Sequence, residues 1–124
     1  MKPLTKLFSA STKHKGDYYE SLALNHLKKH GYRLIEANYN TRFGEIDLIV
    51  KNDDSLVFVE VRYRKNDHHG SAAESVTPSK QKKIIKTAQH FLTQFNLTDT
   101  ACRFDVIAFS GDNSQPLQWH QNAF

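Results

Sequence analysis

The 124-residue sequence predicts an α/β domain with a mixed central β-sheet flanked by helices, in the order α-β-β-β-α-β with a short further edge strand. Three observations carry that expectation. Residues 44–62, GEIDLIVKNDDSLVFVEVR, read as two strands joined by a tight polar turn. From Lys80 onward, Ile84, Ile85, Ala88, Phe91, Leu92 and Phe95 fall at i, i+1, i+4, i+7, i+8 and i+11, the apolar stripe of a helix. The run RFDVIAF at 103–109 then supplies another strand after that helix.

The elements follow in order. Residues 1–15 hold Lys2, Lys6, Lys13 and Lys15 without sustained periodicity, and read as a basic arm, either loose or helical in part, ahead of a single domain at 16–124. Asp17 to His30 is helical by the spacing of Tyr19, Leu22, Ala23, Leu27 and His30, with Gly31 as its stop. YRLIEANYN follows as a first strand, to about Tyr39. In the hairpin turn, NDDS offers short polar side chains that tolerate unusual backbone angles. KNDHHGSAAES reads as a patternless polar loop of the kind that is often mobile. Thr77 is placed to cap the second helix and Pro78 suits its first turn. Gly111 to Pro116 is turn material, and LQWHQNAF supplies the edge strand.

Composition sets the outer bounds. Hydrophobic residues make up 39% and charged residues 24%, which suits a soluble globular domain large enough for a core without staples. A lone cysteine, Cys102, forms no internal disulfide, so a reducing, cytoplasmic setting is expected. No apolar run approaches the roughly 20 residues a bilayer requires, and the basic start lacks the apolar core of a signal peptide, so no membrane partner is expected. A net charge of +4, with seven histidines in reserve, favours a polyanionic partner.

The hairpin register is the most informative local feature. With Asp53 and Asp54 as a two-residue loop, Asp47 faces Glu60, Glu45 faces Arg62 and Ile49 faces Phe58 on one wall. The opposite wall is Ile46, Leu48, Val50, Val57, Val59 and Val61, wholly apolar and therefore expected beneath a helix, which leaves the charged wall as a cleft. Directly opposed carboxylates have Cβ atoms about 5 Å apart and repel. A shared proton relieves that repulsion; so does a divalent cation, and hard oxygen ligands suit Mg²⁺ or Mn²⁺. The alternative is a solvated network in which Arg62 and Lys51 neutralise the acids.

Asp47, followed thirteen residues later by Glu60 within FVEVR, resembles the acidic signature of the PD-(D/E)XK nuclease superfamily. More closely, GDYYESLALNHLKKHGYRLIEANYNTRFGEIDLIV, LVFVEVRYR, the helix from Lys80 and RFDVIAF resemble the YraN family, small bacterial endonuclease-like proteins similar to archaeal Holliday-junction resolvases. The resemblance covers roughly residues 16–124 and implies a restriction-endonuclease-like core. It further implies Mg²⁺- or Mn²⁺-dependent hydrolysis of DNA phosphodiester bonds in branched or repair intermediates, a nucleic-acid partner and a homodimer, with no small-molecule substrate.

Residue by residue, the resemblance assigns Asp47, Glu60 and the backbone carbonyl of Val61 to the metal, with Glu20 acting through water or a second metal. Arg62 stands where the superfamily pattern has lysine. Arginine grips a phosphate in bidentate fashion and stabilises developing charge, but because a guanidinium holds its proton so tightly it is a poor proton acceptor. Arg62 either takes that role or pairs with Glu45 across the hairpin, and Lys80 is the candidate to supply the lysine instead. The same departure favours the alternative of a nucleic-acid-binding module that keeps the fold without turnover. Arg64, Lys65, Lys82 and Lys83, with Lys86, form either a phosphate-tracking surface or a solvated face. Tyr63 is a candidate for base stacking, His68 and His69 for a metal, and Asp105 for a structural hydrogen bond.

Overall fold

The computed structural model describes residues 11–66, 68, 70–111 and 117–124, with 11–15 as backbone only. Residues 1–10, most of the expected basic arm, lie outside the described residues, as do His69 and the 112–116 part of the expected turn. Helix α1 (Ser11–Lys29) is followed by β1 (Arg33–Thr41), β2 (Gly44–Lys51) and β3 (Leu56–Arg64). A 3₁₀ turn (Ala73–Ser75), α2 (Pro78–Gln94), β4 (Cys102–Ser110) and β5 (Gln118–His120) complete the chain. The sheet order is β1-β2-β3-β4-β5, with β3 and β4 parallel and the other neighbours antiparallel. This is the expected α/β class: the parallel step is the one crossed by α2.

Helix α1 begins at Ser11, so the expected boundary between residues 15 and 16 falls inside a helix. Tyr19, Ala23 and Leu27 are buried at its foot, whereas His30 lies past its end and is exposed. The N–H of Gly31, at φ 91°, donates to the carbonyl of Lys28 at 3.1 Å, a turn only glycine enters readily. In α2 the Thr77 hydroxyl accepts from the N–H of Lys80 at 3.3 Å, and Pro78 opens the first turn. Ile84, Ala88 and Phe91 are buried, but Phe95, the last member of the stripe, is 50% exposed.

Helices cover both faces of the sheet, which corrects the expectation of one apolar wall and one open charged wall. Leu48, Val50, Val57, Val59 and Val61 pack with Tyr19, Ala23 and Leu27 of α1. Ile49 and Phe58, which share the charged wall, are fully buried against Ile84, Ala88 and Phe91 of α2. The cleft is therefore confined to the stretch past Leu48↔Val59, where β2 and β3 no longer pair.

Ile46 packs with Ile49 on the α2 side, not with Leu48 and Val50, so the alternation of faces breaks around Asp47. β1 breaks in the same place. Ala37 packs on the α1 side and Tyr39 on the α2 side, and Asn38 between them takes the left-handed conformation, φ 54°. Two residues apart would ordinarily mean one face; a left-handed residue, which asparagine tolerates, turns the strand over.

The loop after β3 is not patternless. The N–H of Ser71 donates to Glu74 Oε1 at 2.8 Å and the N–H of Glu74 to Ser71 Oγ at 3.1 Å, the reciprocal pair of a capping box, which starts the 3₁₀ turn and buries Ala72 and Val76. The bond from the Ser71 N–H, with a smaller contribution from the Ser71 hydroxyl, lowers the Glu74 carboxyl below its ordinary value.

Candidate metal centre

The hairpin register is as expected from Lys51↔Leu56 to Leu48↔Val59, and there the ladder stops. Beyond it, side chains take the place of backbone partners. The N–H of Val61 donates to Asp47 Oδ2 at 2.8 Å, and the N–H of Asp47 donates to Glu60 Oε2 at 3.3 Å. The two strands fork around these carboxylates, so orphaned backbone donors and acidic side chains satisfy each other.

Arg62 closes the fork. Its Nη2 donates to Glu60 Oε1 at 2.9 Å, its Nη1 donates to the carbonyl of Val61 at 3.2 Å, and Nη1 lies 3.6 Å from Asp47 Oδ2. The alternative in which Arg62 pairs with Glu45 is not what the structure has: Glu60 lies two residues back on the same strand, and the forked strands carry Glu45 out of the β2–β3 ladder. The guanidinium sits on the three oxygens that the motif resemblance assigns to a metal. Among the described residues its Nε is buried without a hydrogen-bond partner.

Glu60 is 3% exposed, and burial, reinforced by the charge of Asp47, pushes its carboxyl up to about 8. Arg62 and the N–H of Asp47 oppose that rise without cancelling it. A carboxyl so placed gains from a closely held positive charge.

Glu20, Asp47, Val61 and Arg62 line one pocket of about 300 Å³ with the rings of Tyr19 and Tyr63. Glu20 comes from α1, and Asn38 Nδ2 donates to its Oε1 at 3.1 Å. Sequence reasoning missed Asn38, which both reverses β1 and holds Glu20 toward the fork; its signal, an asparagine able to enter the left-handed region in mid-strand, is weak without the fold. Among the described residues no three acidic, histidine or cysteine side chains converge, so Glu20 shares the pocket without joining Asp47 and Glu60.

The remaining candidates are dispersed. Lys80 is exposed and no ion pair joins it to Asp47 or Glu60 among the described residues. Arg64 flanks the site half-buried, while Lys65, Lys82 and Lys83 are exposed. Tyr63 stacks on Tyr19 at 4.6 Å and donates its hydroxyl to the carbonyl of Gly111 at 2.9 Å, so one ring face and its polar tip are committed internally. The N–H of the exposed His68 donates to Asn66 Oδ1 at 3.1 Å. Asp105 has the structural use expected of it, accepting from Arg103, Trp119 and Asn122.

Two carboxylates and a backbone carbonyl converging on one cationic group are a hard-oxygen set. Mg²⁺ and Mn²⁺ suit such donors, and Mg²⁺ commonly binds one or two carboxylates and keeps its remaining waters. The residues present fit such an ion.

A mixed sheet between two helices, with acids at the fork of its central hairpin, defines a restriction-endonuclease-like fold. The Holliday junction resolvase Hjc of Archaeoglobus fulgidus has a similar structure, with a TM-score of 0.52 over 84% of this chain and 73% of that one; at 18% identity the likeness is one of fold. A family model described as uncharacterised protein family UPF0102 matches residues 19–109, and the chain belongs to that family. It is 53% identical to a UPF0102 protein of Vibrio parahaemolyticus over 87% of this chain and 89% of the relative. A UPF0102 protein of Psychromonas ingrahamii is 49% identical over 98% and 97% of the two chains. No helix among the described residues is long and apolar enough to cross a membrane.

Proposed function

We propose that the protein is a divalent-metal-dependent nuclease that hydrolyses phosphodiester bonds of DNA, with branched intermediates as its substrates. The observation that supports this most is the convergence of Asp47, Glu60 and the Val61 carbonyl on one cationic position at the fork of β2 and β3. The likeness of fold to a Holliday junction resolvase supports branched DNA as the substrate class.

Asp47, Glu60 and the Val61 carbonyl would hold Mg²⁺ or Mn²⁺, with Glu20 reaching it through water. Such an ion, when bound, polarises a phosphoryl oxygen and lowers the pKa of water toward neutrality. Arg62, released from the acids, clamps the non-bridging phosphate oxygens and stabilises the charge that builds on them. Because its guanidinium stays protonated, the proton of the attacking water goes elsewhere, and the Glu20 carboxylate in the same pocket is the acceptor. Lys80 is too dispersed in this structure to be given a part.

The test is cleavage of a labelled four-way junction with Mg²⁺ or Mn²⁺, beside thermal melting with each metal. Wild type cuts and melts higher with metal; Glu60→Gln does neither. The proposal fails if Glu60→Gln leaves both the metal response and any cleavage unchanged.

A second reading has its own observation. The guanidinium of Arg62 already neutralises the acids, as in a module that binds DNA without cutting it. That protein would bind DNA in a salt-sensitive way and show neither cleavage nor a metal-dependent rise in melting temperature.

A further inference from the structure

We infer that the tip of the β1–β2 hairpin and the adjoining face of α2 form a second nucleic-acid contact, one that holds unpaired bases. The inference rests on the reading above only in taking DNA as the partner. At the tip the Arg42 guanidinium lies 5.0 Å from the centroid of the Phe43 ring. Phe43 is 6.3 Å from the ring of His90 on α2, and His90 is 6.4 Å from Tyr39. Beside them runs a groove of about 650 Å³ lined by Tyr39, Arg42, His90, Gln94 and Phe95 among others. Phe95, half-exposed, presents a large ring to solvent at the end of α2.

The tip is docked rather than free. A Cβ at Gly44, where φ is +152°, would lie 3.5 Å from Thr87 Oγ1 and 3.7 Å from Lys83 Cβ. The N–H of Phe43 also donates to Thr41 Oγ1 at 3.0 Å. Phe43 is therefore held in place before any ligand arrives, so little order has to be imposed on binding.

Charge decides which part of a ligand goes where. Arg42, Lys83 and Lys86 are exposed and belong to no ion pair among the described residues. They offer a row of cations for a phosphate backbone. Glu36 and Arg42 both line the groove, so its walls carry charge of both signs and its aromatic rings are left to an uncharged base. Bases within a duplex already have both faces stacked; only an unpaired base can lie on Phe43, His90 or Phe95. Gly44 is three residues from Asp47 along β2, roughly 10 Å at strand rise. The groove, however, opens beside Tyr39 on the α2 side of the sheet and the fork pocket beside Tyr19 and Glu20 on the α1 side, so the groove is a contact separate from the fork.

The experiment is fluorescence anisotropy in EDTA with a labelled single strand, the matching blunt duplex, and the same duplex with a single-stranded tail. Wild type binds the single strand and the tailed duplex at least about fivefold more tightly than the blunt duplex. Phe43→Ala and, separately, His90→Ala weaken single-strand binding about fivefold and leave blunt-duplex binding within about twofold. Arg42→Ala weakens both and lowers the salt slope by about one. Equal affinity of wild type for single strand and blunt duplex overturns the inference. So does full retention of single-strand affinity by both the Phe43→Ala and His90→Ala proteins. Because no metal is present, Glu60→Gln keeps the single-strand preference. A protein with that preference but no metal response or cleavage sinks the nuclease reading alone.

Discussion

Asp105 on β4 and Glu60 on β3 are buried acids of two parallel, adjacent strands, and each is paired with an arginine two residues away on its own strand. Their surroundings differ. Asp105 Oδ1 accepts from Arg103 Nε at 3.0 Å and from the N–H of Asn122 at 2.9 Å. Its Oδ2 accepts from Arg103 Nη2 at 3.1 Å and from Trp119 Nε1 at 2.9 Å. Arg103 in turn donates to the Tyr32 hydroxyl at 2.8 Å, and its bonds to Asp105 raise its own pKa. That node ties β4, β5, the C-terminal residues and the start of β1 together. Glu60 instead has a second acid beside it, a long 3.3 Å bond from Asp47, and an arginine whose Nε is left unsatisfied. One carboxylate is saturated and structural; the other is short of positive charge, the condition that makes a buried acid a place for a cation or a proton.

Breaking the saturated node has the largest effect. Asp105→Ala orphans the indole N–H of Trp119 and the N–H of Asn122 and leaves Arg103 unpaired, so it destabilises the protein by about 3 kcal/mol in urea denaturation. Asp47→Asn, which keeps an oxygen to accept from Val61 and relieves repulsion on Glu60, stays within about 1 kcal/mol of wild type without metal. Equal losses in the two proteins would erase the contrast between the nodes.

The acid short of charge is read next, through pH. The carboxyl of Glu60 has an ordinary value of 4.5 in the unfolded chain and is raised to about 8 in the folded protein, by burial first and Asp47 second. Between those values the native state binds more protons than the unfolded state, so the stability of the metal-free protein falls as pH rises through that window. The fall attributable to Glu60 is on the order of a few kcal/mol. Urea midpoints measured across pH 4–9 show it in wild type, and Glu60→Gln flattens it. A rise with pH that Glu60→Gln abolishes would mean that Glu60 is held as a charged partner of Arg62, as Asp105 is of Arg103.

The smallest effect sharpens the role of Arg62. Arg62→Gln removes the positive charge that competes for the three oxygens of the fork, so the Mn²⁺ concentration for half-maximal thermal stabilisation drops about fivefold, roughly 1 kcal/mol. Cleavage falls in the same protein, because the phosphate clamp is gone. Unchanged Mn²⁺ affinity would place the ion away from the guanidinium.

Much of this was legible in the residues. The apolar residues Leu48, Val50, Val57, Val59 and Val61 on one wall pinned the hairpin register that Leu48↔Val59 and Ile49↔Phe58 now display, although Ile46, expected with them, turns to the other side. Thr77 and Pro78 marked the start of α2 correctly. The nearness of Asp47 to Glu60 followed from the same register. Two further signals were present and are local. Glu60 with Arg62, and Arg103 with Asp105, fall at i, i+2, the spacing of one strand face. Ser71 and Glu74 have the spacing of a capping box. The length of α1 was harder, because its first turn lies in a lysine-bearing stretch with no apolar period to mark it.

By itself, then, the chain determined the order of its elements, the pairing of β2 with β3 and the acids that would meet, because alternating apolar residues have to leave water and only one register lets them. Tertiary structure alone decided where the strands part and what stands between the acids. The paired reversal at Asn38 and Asp47, the bond from Asn38 to Glu20, and the reach of Arg62 to Asp47 each depend on residues brought together from different elements. A local pattern records which face a side chain prefers. It does not record which backbone groups on two separate strands lose their partners at one point, and at the fork of β2 and β3 that loss is what aims two carboxylates at one cation.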